Sequence, residues 1–466
     1  MHGRILRAEV EIPAERLLPG PCGYRVRVDG GKADSRPCRI PLHYDSFQNS
    51  PDDKLISDPR FQAQNTYAIL MRTLARFEQA LGRRVSWGFH GHQLRVVPQA
   101  FEQANAFYSA TERAILFGYF PGRSGTVYTS LSHDIVAHEG THAIVHGLRR
   151  RYLDPSSPDQ SAFHEGFADI IALLSVLSLP AIVAAVLGSS TLKPEQISPE
   201  TLRRSLLFGV AQQMGQELSQ MRGQPLRRSI ELPASPAWKS DPAFAEPHRR
   251  GEILVAAVMN ALLEVWLRRT KELGTLDRDR MAAEAADTAD RMLTMCIRAL
   301  DFCPPTNILF SDFLSAMLTA DHEMAPDDNR FRFRDTLLKS FRRYGFRPTS
   351  KGELGMWEPP DGRLRYERSH LESLQRDPDE VFRFVWENRR SLRLCDAAET
   401  YVQSVRPALR VGSDGFMLRE TVAEYVQRVR IRCADLSAWK IRVPNGMPAD
   451  HQVTLWGGGV LIFTCA

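Results

Sequence analysis

The sequence predicts an α+β fold in which a twisted sheet precedes a mostly helical region. Short β-branched and aromatic runs, separated by Gly and Pro, occur between residues 83 and 131 and are typical of strands. Long amphipathic or apolar runs follow from Gly166 to about Arg347 and are typical of helices. The pattern becomes mixed again from Lys351. We therefore expect three parts: residues 1–150, residues 151–350, and an appended α+β module at 351–466.

A helix is expected before the sheet, because FQAQNTYAILMRTLARFEQALGR carries its apolar residues at helical spacing and meets Gly82, a good C-terminal cap. The strands are expected in five runs: RRVSWGFH, HQLRVVPQ, NAFYSA, AILFGYF and TVYTSL. The region from Ile170 to Gly188 is uncharged and long enough to raise the possibility of a membrane span. Pro180 interrupts it, so we expect a pair of buried helices instead. A further helix is expected after RDPDEV.

Composition restricts the class of protein. The 466 residues contain 60 Lys and Arg against 55 Asp and Glu, a net charge of +5 with no basic arm, so no nucleic-acid partner is expected. Seven cysteines without a CxxC pair suggest neither a disulfide framework nor a thiolate metal site. The first residues show no secretory signal pattern. We expect a cytoplasmic protein with no membrane association.

A metal site is expected on the helix that contains DIVAHEGTHAIVHGL. His138 and His142 are four residues apart, which places both imidazoles on one helix face. A catalytic zinc usually takes three protein ligands and keeps one open position. Glu165, at the head of an apolar helix in SAFHEGFADIIALL, is the expected third ligand. Asp169, one turn further on, could accept the second ring N–H of a zinc-bound histidine.

The other histidines are less suitable as ligands. His146 continues the stripe, but it lies a further turn from a metal held by the first pair, so we expect it to be structural. His164 is the alternative third ligand, although it points about 100° away from Glu165 on a helix. His90 and His92 would make an incomplete site on a strand and are also expected to be structural. Gly140 inside the helix costs about 1 kcal/mol relative to Ala and has no explanation in the sequence.

Five motifs in order resemble the thermolysin-like gluzincin zinc metallopeptidases: NAFYSATERAILFGYF, DIVAHEGTHAIVHGLRRRY, FHEGFAD, QPLRRS and EPHRRGEILVAA. They extend from Asn105 to about Leu262, roughly a third of the chain. The resemblance implies an edge strand that binds a peptide substrate through Asn105 and the backbone of Ala106. It also implies that Tyr152 and His248 stabilise the transition state. Arg227 would bind a substrate carbonyl, with Arg228 next to it as an alternative register.

By this resemblance, residues 1–150 and 151–350 are two halves of one catalytic unit, and the role of 351–466 is open. The expected function is that of a zinc-dependent metalloendopeptidase, a hydrolase that acts on a peptide or protein substrate. Glu139 would act as the general base toward a zinc-activated water. The alternative from another class is a non-catalytic, zinc-stabilised scaffold that binds peptides or a partner protein. A membrane-embedded protease is the third hypothesis and depends only on the apolar stretch from Ile170 to Gly188.

Overall fold

The computed structural model describes residues 7–29, 47–122, 125–188, 229, 231–272, 277–358, 364–412, 415, 417–443 and 445–465. The fold is α+β. The described helices are α1 (Asp52–Ser57), α2 (Pro59–Leu81), α3 (His133–Leu148), α4 (Pro158–Leu177), α5 (Pro180–Gly188), α6 (Pro247–Glu272), α7 (Arg278–Ala299), α8 (Phe310–Met324), α9 (Phe333–Arg343), α10 (Leu371–Leu374) and α11 (Pro378–Glu387). The strands are β1 (Val26–Val28), β2 (Leu94–Phe101), β3 (Ala106–Ser109), β4 (Ala114–Gly122), β5 (Gly125–Tyr128), β6 (Glu399–Val411), β7 (Met417–Arg432) and β8 (Gln452–Cys465).

The first sheet contains five strands in the order β1-β2-β4-β3, with β5 also paired to β4. Strands β1, β2 and β4 run parallel, whereas β3 and β5 are antiparallel to β4. Four of the five predicted strand runs are confirmed as β2 to β5. The prediction of a strand at RRVSWGFH was wrong. That segment lies against the end of α3 instead, where a Cβ on Gly147 would come within 1.8 Å of the Ser86 carbonyl oxygen.

The predicted helices are confirmed. Helix α2 ends at Leu81, and Gly82 adopts the left-handed conformation at φ 66° that favours glycine at a C-terminal cap. The apolar stretch is divided into α4 and α5, and α5 begins at Pro180, as the helix-breaking property of proline predicts. Within the described part of the chain, no helix is both long and apolar enough to cross a membrane.

Helix α3 contacts α2, α4 and β3. All of its residues except two are buried. Its glycine at position 140 now has a physical explanation, because a Cβ there would lie 2.7 Å from Cδ2 of Leu70 on α2. Because that atom is the end of a flexible side chain, the contact accounts for only a mild preference for glycine at this position.

Two clusters of buried side chains form the main hydrophobic interior. The larger one is a single cluster of buried side chains that lie between Val26 and Phe346 in the sequence. It joins the first sheet to the helices that follow it. The smaller one contains residues between Leu374 and Phe463, from α10, α11 and the second sheet. That second sheet has the order β6-β7-β8 and is antiparallel throughout.

Buried ion pairs connect the second sheet to the end of α3. Arg149, directly after α3, contacts Glu424 of β7 at 3.0 Å, and the two side chains are 3% and 1% exposed. Arg149 also donates to the Leu300 carbonyl oxygen. Arg406 of β6 donates to the Gly147 carbonyl oxygen at 3.1 Å. Arginines therefore satisfy carbonyl groups near the C-terminal end of α3, where positive charge is favourable.

A second buried group of charges lies beside the first. Asp301 accepts hydrogen bonds from both terminal nitrogens of Arg83, at 2.7 and 2.5 Å, and from Arg410 of β6. Burial raises the pKa of Asp301, but the neighbouring arginines outweigh this and hold its pKa well below the usual range. Arg410 also pairs with Glu420 of β7 at 3.0 Å. The module from Lys351 onward, a division that stays a prediction, thus contributes charges to the interior of the preceding part.

We predict that Glu424→Gln lowers the free energy of unfolding by about 3–5 kcal/mol, because removing one partner of a buried pair leaves Arg149 buried without its counter-charge. The measurement is urea denaturation followed by circular dichroism. Glu399→Gln is the matched control, since Glu399 pairs with Arg428 on the protein surface and exposed pairs contribute little. Equal effects of the two substitutions would contradict the importance of the buried pair.

Candidate metal centre

Helices α3 and α4 bring together three side chains that share one possible metal position. His138 and His142 lie one helical turn apart, with ring centroids 4.5 Å apart and planes at 89°. Oε2 of Glu165 lies 3.5 Å from Nε2 of His138 and 3.6 Å from Nε2 of His142. Across the described ranges, this is the one group of three or more His, Cys, Asp or Glu residues whose ligand atoms all lie within 4.8 Å of one another.

The separation of these atoms fits zinc. Two ligands at about 2.0–2.1 Å from a tetrahedral zinc lie about 3.3 Å from each other. The two distances from Glu165 exceed this by only a few tenths of an ångström, and the three ligand atoms lie within 4.8 Å of one another. Two neutral imidazoles and one carboxylate are also a donor set that zinc accepts in catalytic sites.

The surroundings of Glu165 lower the pKa of its carboxyl group, which favours binding of a cation. Burial raises the pKa of this carboxyl, but His142 and His138 outweigh burial and hold the pKa well below its usual range. The group is therefore an anion at neutral pH, although its side chain is only 22% exposed. A partly buried carboxylate that is held ionised is a suitable ligand for a divalent metal.

The two histidines have different surroundings on their second ring nitrogen. Nδ1 of His138 lies 2.7 Å from Oδ1 of Asp169, which is where a carboxylate orients a metal-binding imidazole. Nδ1 of His142 is buried, and no described residue accepts a hydrogen bond from it. The ring of His164 instead stacks flat on His142 at 4.4 Å. Burial, with His142 nearby, holds the pKa of His164 well below its usual range.

Glu139, next to His138 on α3, contacts the edge strand β3 of the first sheet. Its side chain is buried on α3, and its Oε2 accepts the backbone N–H of Tyr108 on β3 at 3.0 Å. The two residues expected to bind substrate precede Tyr108: Ala106 is the first residue of β3, and Asn105 lies directly before it. Asn105 is exposed and uses its side-chain oxygen to accept the N–H of buried Ala106 at 2.9 Å. The carboxylate of Glu139 is thus attached to the strand along which a peptide is expected to bind.

His248 reaches the same centre from the beginning of α6. Its Nε2 lies 3.4 Å from Oε2 of Glu165, and its side chain is 72% exposed. Its Nδ1 lies 2.7 Å from Oε1 of Glu246, which also accepts the N–H of His248 at 3.0 Å. A carboxylate at Nδ1 favours the tautomer or charge state that has a proton on that nitrogen and fixes the direction of Nε2.

Two partners of these residues were not singled out from the sequence. Glu246 precedes His248 by two positions, and the sequence EPH at a helix start was the available signal. Tyr108 also contacts His146, whose Nδ1 lies 2.8 Å from the phenol oxygen. Burial raises the pKa of Tyr108 to about 12 and lowers the pKa of His146. The structural role expected for His146 agrees with this contact.

Glycines allow α4 and α6 to approach each other beside the centre. A Cβ on Gly166 would lie 2.8 Å from the Gly251 carbonyl oxygen. A Cβ on Gly251 would lie 2.9 Å from the Ala162 carbonyl oxygen and 3.0 Å from the Gly166 nitrogen. Gly166 directly follows Glu165 in α4, and Gly251 lies about one turn after His248 in α6. The backbone contact between the helices therefore sets the distance between Glu165 and His248.

The structure gives no support to the expected role of Tyr152. Its side chain is 2% exposed, and its hydroxyl donates to the Pro304 carbonyl oxygen at 2.7 Å. Its ring packs edge-on against Phe163 in the core. The hydroxyl has one proton, and that proton is already used in the interior. The short turn after α3 directs this tyrosine into the core, which the spacing of the motif did not reveal.

The remaining predicted residue cannot be placed. Arg227, with its neighbour Arg228, lies outside the described residues. His90 and His92, considered as metal ligands and rejected, belong to no converging group of ligands in the described ranges. Comparison with known proteins adds no family assignment, since no family model matches the chain and no curated protein matches it significantly.

We predict that Gly251→Ala lowers the free energy of unfolding by about 1–3 kcal/mol, because the added methyl group overpacks a backbone contact. The substitution should also weaken zinc binding, since the two helices must separate. The measurements are urea denaturation and zinc titration. Gly140→Ala is the matched control, because the methyl group there meets only the end of the Leu70 side chain. A Gly251→Ala protein as stable as wild type would contradict the packing argument.

Proposed function

We propose that the protein is a zinc-dependent metalloendopeptidase. The observation that supports this most is the joint arrangement of His138, His142 and Glu165 at distances that suit zinc, with Glu139 beside them on the side of the edge strand. The motif resemblance to thermolysin-like gluzincins supports the same function independently of the geometry. A peptide or protein is the proposed substrate.

Zinc held by the three ligands would polarise a substrate carbonyl and lower the pKa of a nearby water molecule. Glu139 is the proposed base that accepts the proton of that water, because its carboxylate is adjacent to the ligand helix face and oriented by the Tyr108 N–H. The same carboxylate can then transfer the proton to the leaving amine. Asp169 keeps the His138 ring in position through its contact with Nδ1.

His248 is the proposed donor to the oxygen that becomes negative during the reaction. Its Nε2 faces the centre, and the contact of Nδ1 with Glu246 fixes its orientation. Because Nδ1 keeps its proton toward Glu246, Nε2 donates only from the doubly protonated imidazolium, which is the form proposed for this role. A donor fixed before the reaction stabilises the transition state more than it stabilises the substrate. The distance of 3.4 Å between Nε2 of His248 and Glu165 supports this role for His248.

The substrate is proposed to lie along β3 as an additional extended strand. Ala106 is the first residue of that strand, Asn105 lies directly before it, and Glu139 contacts the strand at Tyr108. Arg227 keeps the carbonyl-binding role that the resemblance implies.

A cytoplasmic location is proposed as well, because the described cysteines Cys22, Cys296, Cys303, Cys395 and Cys433 are all free, which suits a reducing compartment.

We predict that Glu139→Gln decreases peptide hydrolysis by at least about 10² to 10⁴ while zinc content stays near that of wild type, because the base is lost but every ligand remains. Zinc is measured by mass spectrometry and hydrolysis with a denatured protein and a peptide library. Glu102→Gln, an exposed glutamate just after β2, is the matched control and should leave both properties unchanged. A wild-type protein that binds zinc but cleaves nothing would favour the non-catalytic scaffold.

Glu165→Gln should lose zinc on mild dialysis, because it replaces the only anionic ligand with a poorer neutral one. Asp169→Asn is the comparison, since it removes an orienting partner and should weaken zinc binding by about 10- to 100-fold without abolishing it. If Glu165→Gln retained its zinc, the third ligand would lie elsewhere. His164, stacked on His142, would then be the first residue to replace.

A further inference from the structure

The two edge strands of the C-terminal sheet, β6 and β8, differ in how well they are protected against pairing with a further strand. Strand β8 is 14 residues long and pairs with β7 over its whole length, from Gln452 opposite Arg432 to Cys465 opposite Arg419. Its register has no shift. No other strand in the described part of the chain pairs with its second edge. A regular strand of this length offers a row of backbone donors and acceptors for pairing.

Strand β6, at the opposite edge, is protected against further pairing. It contains Pro407, which lacks a backbone N–H, and its register with β7 shifts between Val402 and Ser404. The Leu409 N–H already donates to the Gly82 carbonyl oxygen at 2.8 Å. Proline, an irregular register and coverage by another segment are the features with which natural sheets prevent edge-to-edge association.

Within the residues that the structure describes, strand β8 lacks these protective features. From Val453 to Cys465 it contains no charged residue and no proline, and its pairing with β7 is unbroken. Its faces are in contact with the rest of the protein, because the ring of Phe463 packs on Phe384 of α11 and Arg151 lies 3.5 Å from the Trp456 ring centroid. The outer edge of β8 is the side with which no described strand pairs.

We propose that two copies of this chain associate by antiparallel pairing of their β8 strands, which gives one continuous six-stranded sheet. The sequence of β8 is nearly symmetric about its glycines. When Gly458 of one copy lies opposite Gly458 of the other, Trp456 faces Val460 and Leu455 faces Leu461. Apolar residues thus face apolar residues across a two-fold axis, and no charge opposes a like charge. This symmetry favours a second copy over an unrelated strand.

The first test is sedimentation velocity of the full chain. The wild type should be a dimer, and the double variant Thr454→Lys/Thr464→Lys should be a monomer with an unchanged circular dichroism spectrum, because both threonines are exposed and lysine prevents edge pairing. Leu409→Lys/Val411→Lys on β6 is the matched control and should remain a dimer. A monomeric wild type, or a dimer that survives the β8 substitutions, would overturn the proposal.

A second test examines the pairing directly. A Cβ at Gly457 meets no atom within 4 Å, so Gly457→Cys places a thiol near the two-fold axis without a clash. A short bis-maleimide should convert this variant to a covalent dimer. Ser437→Cys, exposed outside the sheet, should cross-link no more than wild type. Equal cross-linking of the two variants would show that the copies do not meet at β8, and pairing of β8 with a different protein would then have to be examined.

Discussion

The candidate metal centre depends on how closely α4 and α6 approach each other at Gly166 and Gly251. Any larger residue at either position would meet backbone atoms at 3.0 Å or less. This contact places His248, from one helix, 3.4 Å from Glu165, from the other. Helix α3 then supplies the remaining ligands and Glu139 from a third direction. The chemistry proposed for the site therefore depends on a contact between two residues that have no functional groups.

Arginine is the second recurring element of the structure. Its side chains occupy the ends of α2 and α3, where Arg149, Arg406 and Arg410 donate to carbonyl groups or pair with buried carboxylates. A guanidinium has five donors in one plane, so it can satisfy a helix end and a carboxylate at the same time. These contacts join the C-terminal sheet to the helix that carries His138 and His142. These three arginines thus have a specific structural use.

The sequence predicted those parts of the structure that depend on local spacing. His138 and His142 are positioned by the helical repeat, and Gly82 ends its helix because few other residues adopt a positive φ. The prediction failed where the direction of a side chain depends on packing between distant segments. Tyr152 turns toward Pro304, more than a hundred residues later in the chain. The predicted strand at RRVSWGFH has suitable residues, but it lies against Gly147 rather than beside β2. The pairing of Arg149 with Glu424 connects residues 275 positions apart, and no periodic pattern in either segment indicates it.

The Arg149–Glu424 pair also has an evolutionary consequence. A buried arginine without its carboxylate is costly, and so is the carboxylate without the arginine. Loss of either residue should therefore be followed by loss or replacement of the other, and the two positions should vary together among homologues. A homologue that lacks the C-terminal sheet should carry an uncharged residue, or a different partner, after its histidine helix. The sheet could not be exchanged between proteins as an independent unit unless the end of that helix changed with it.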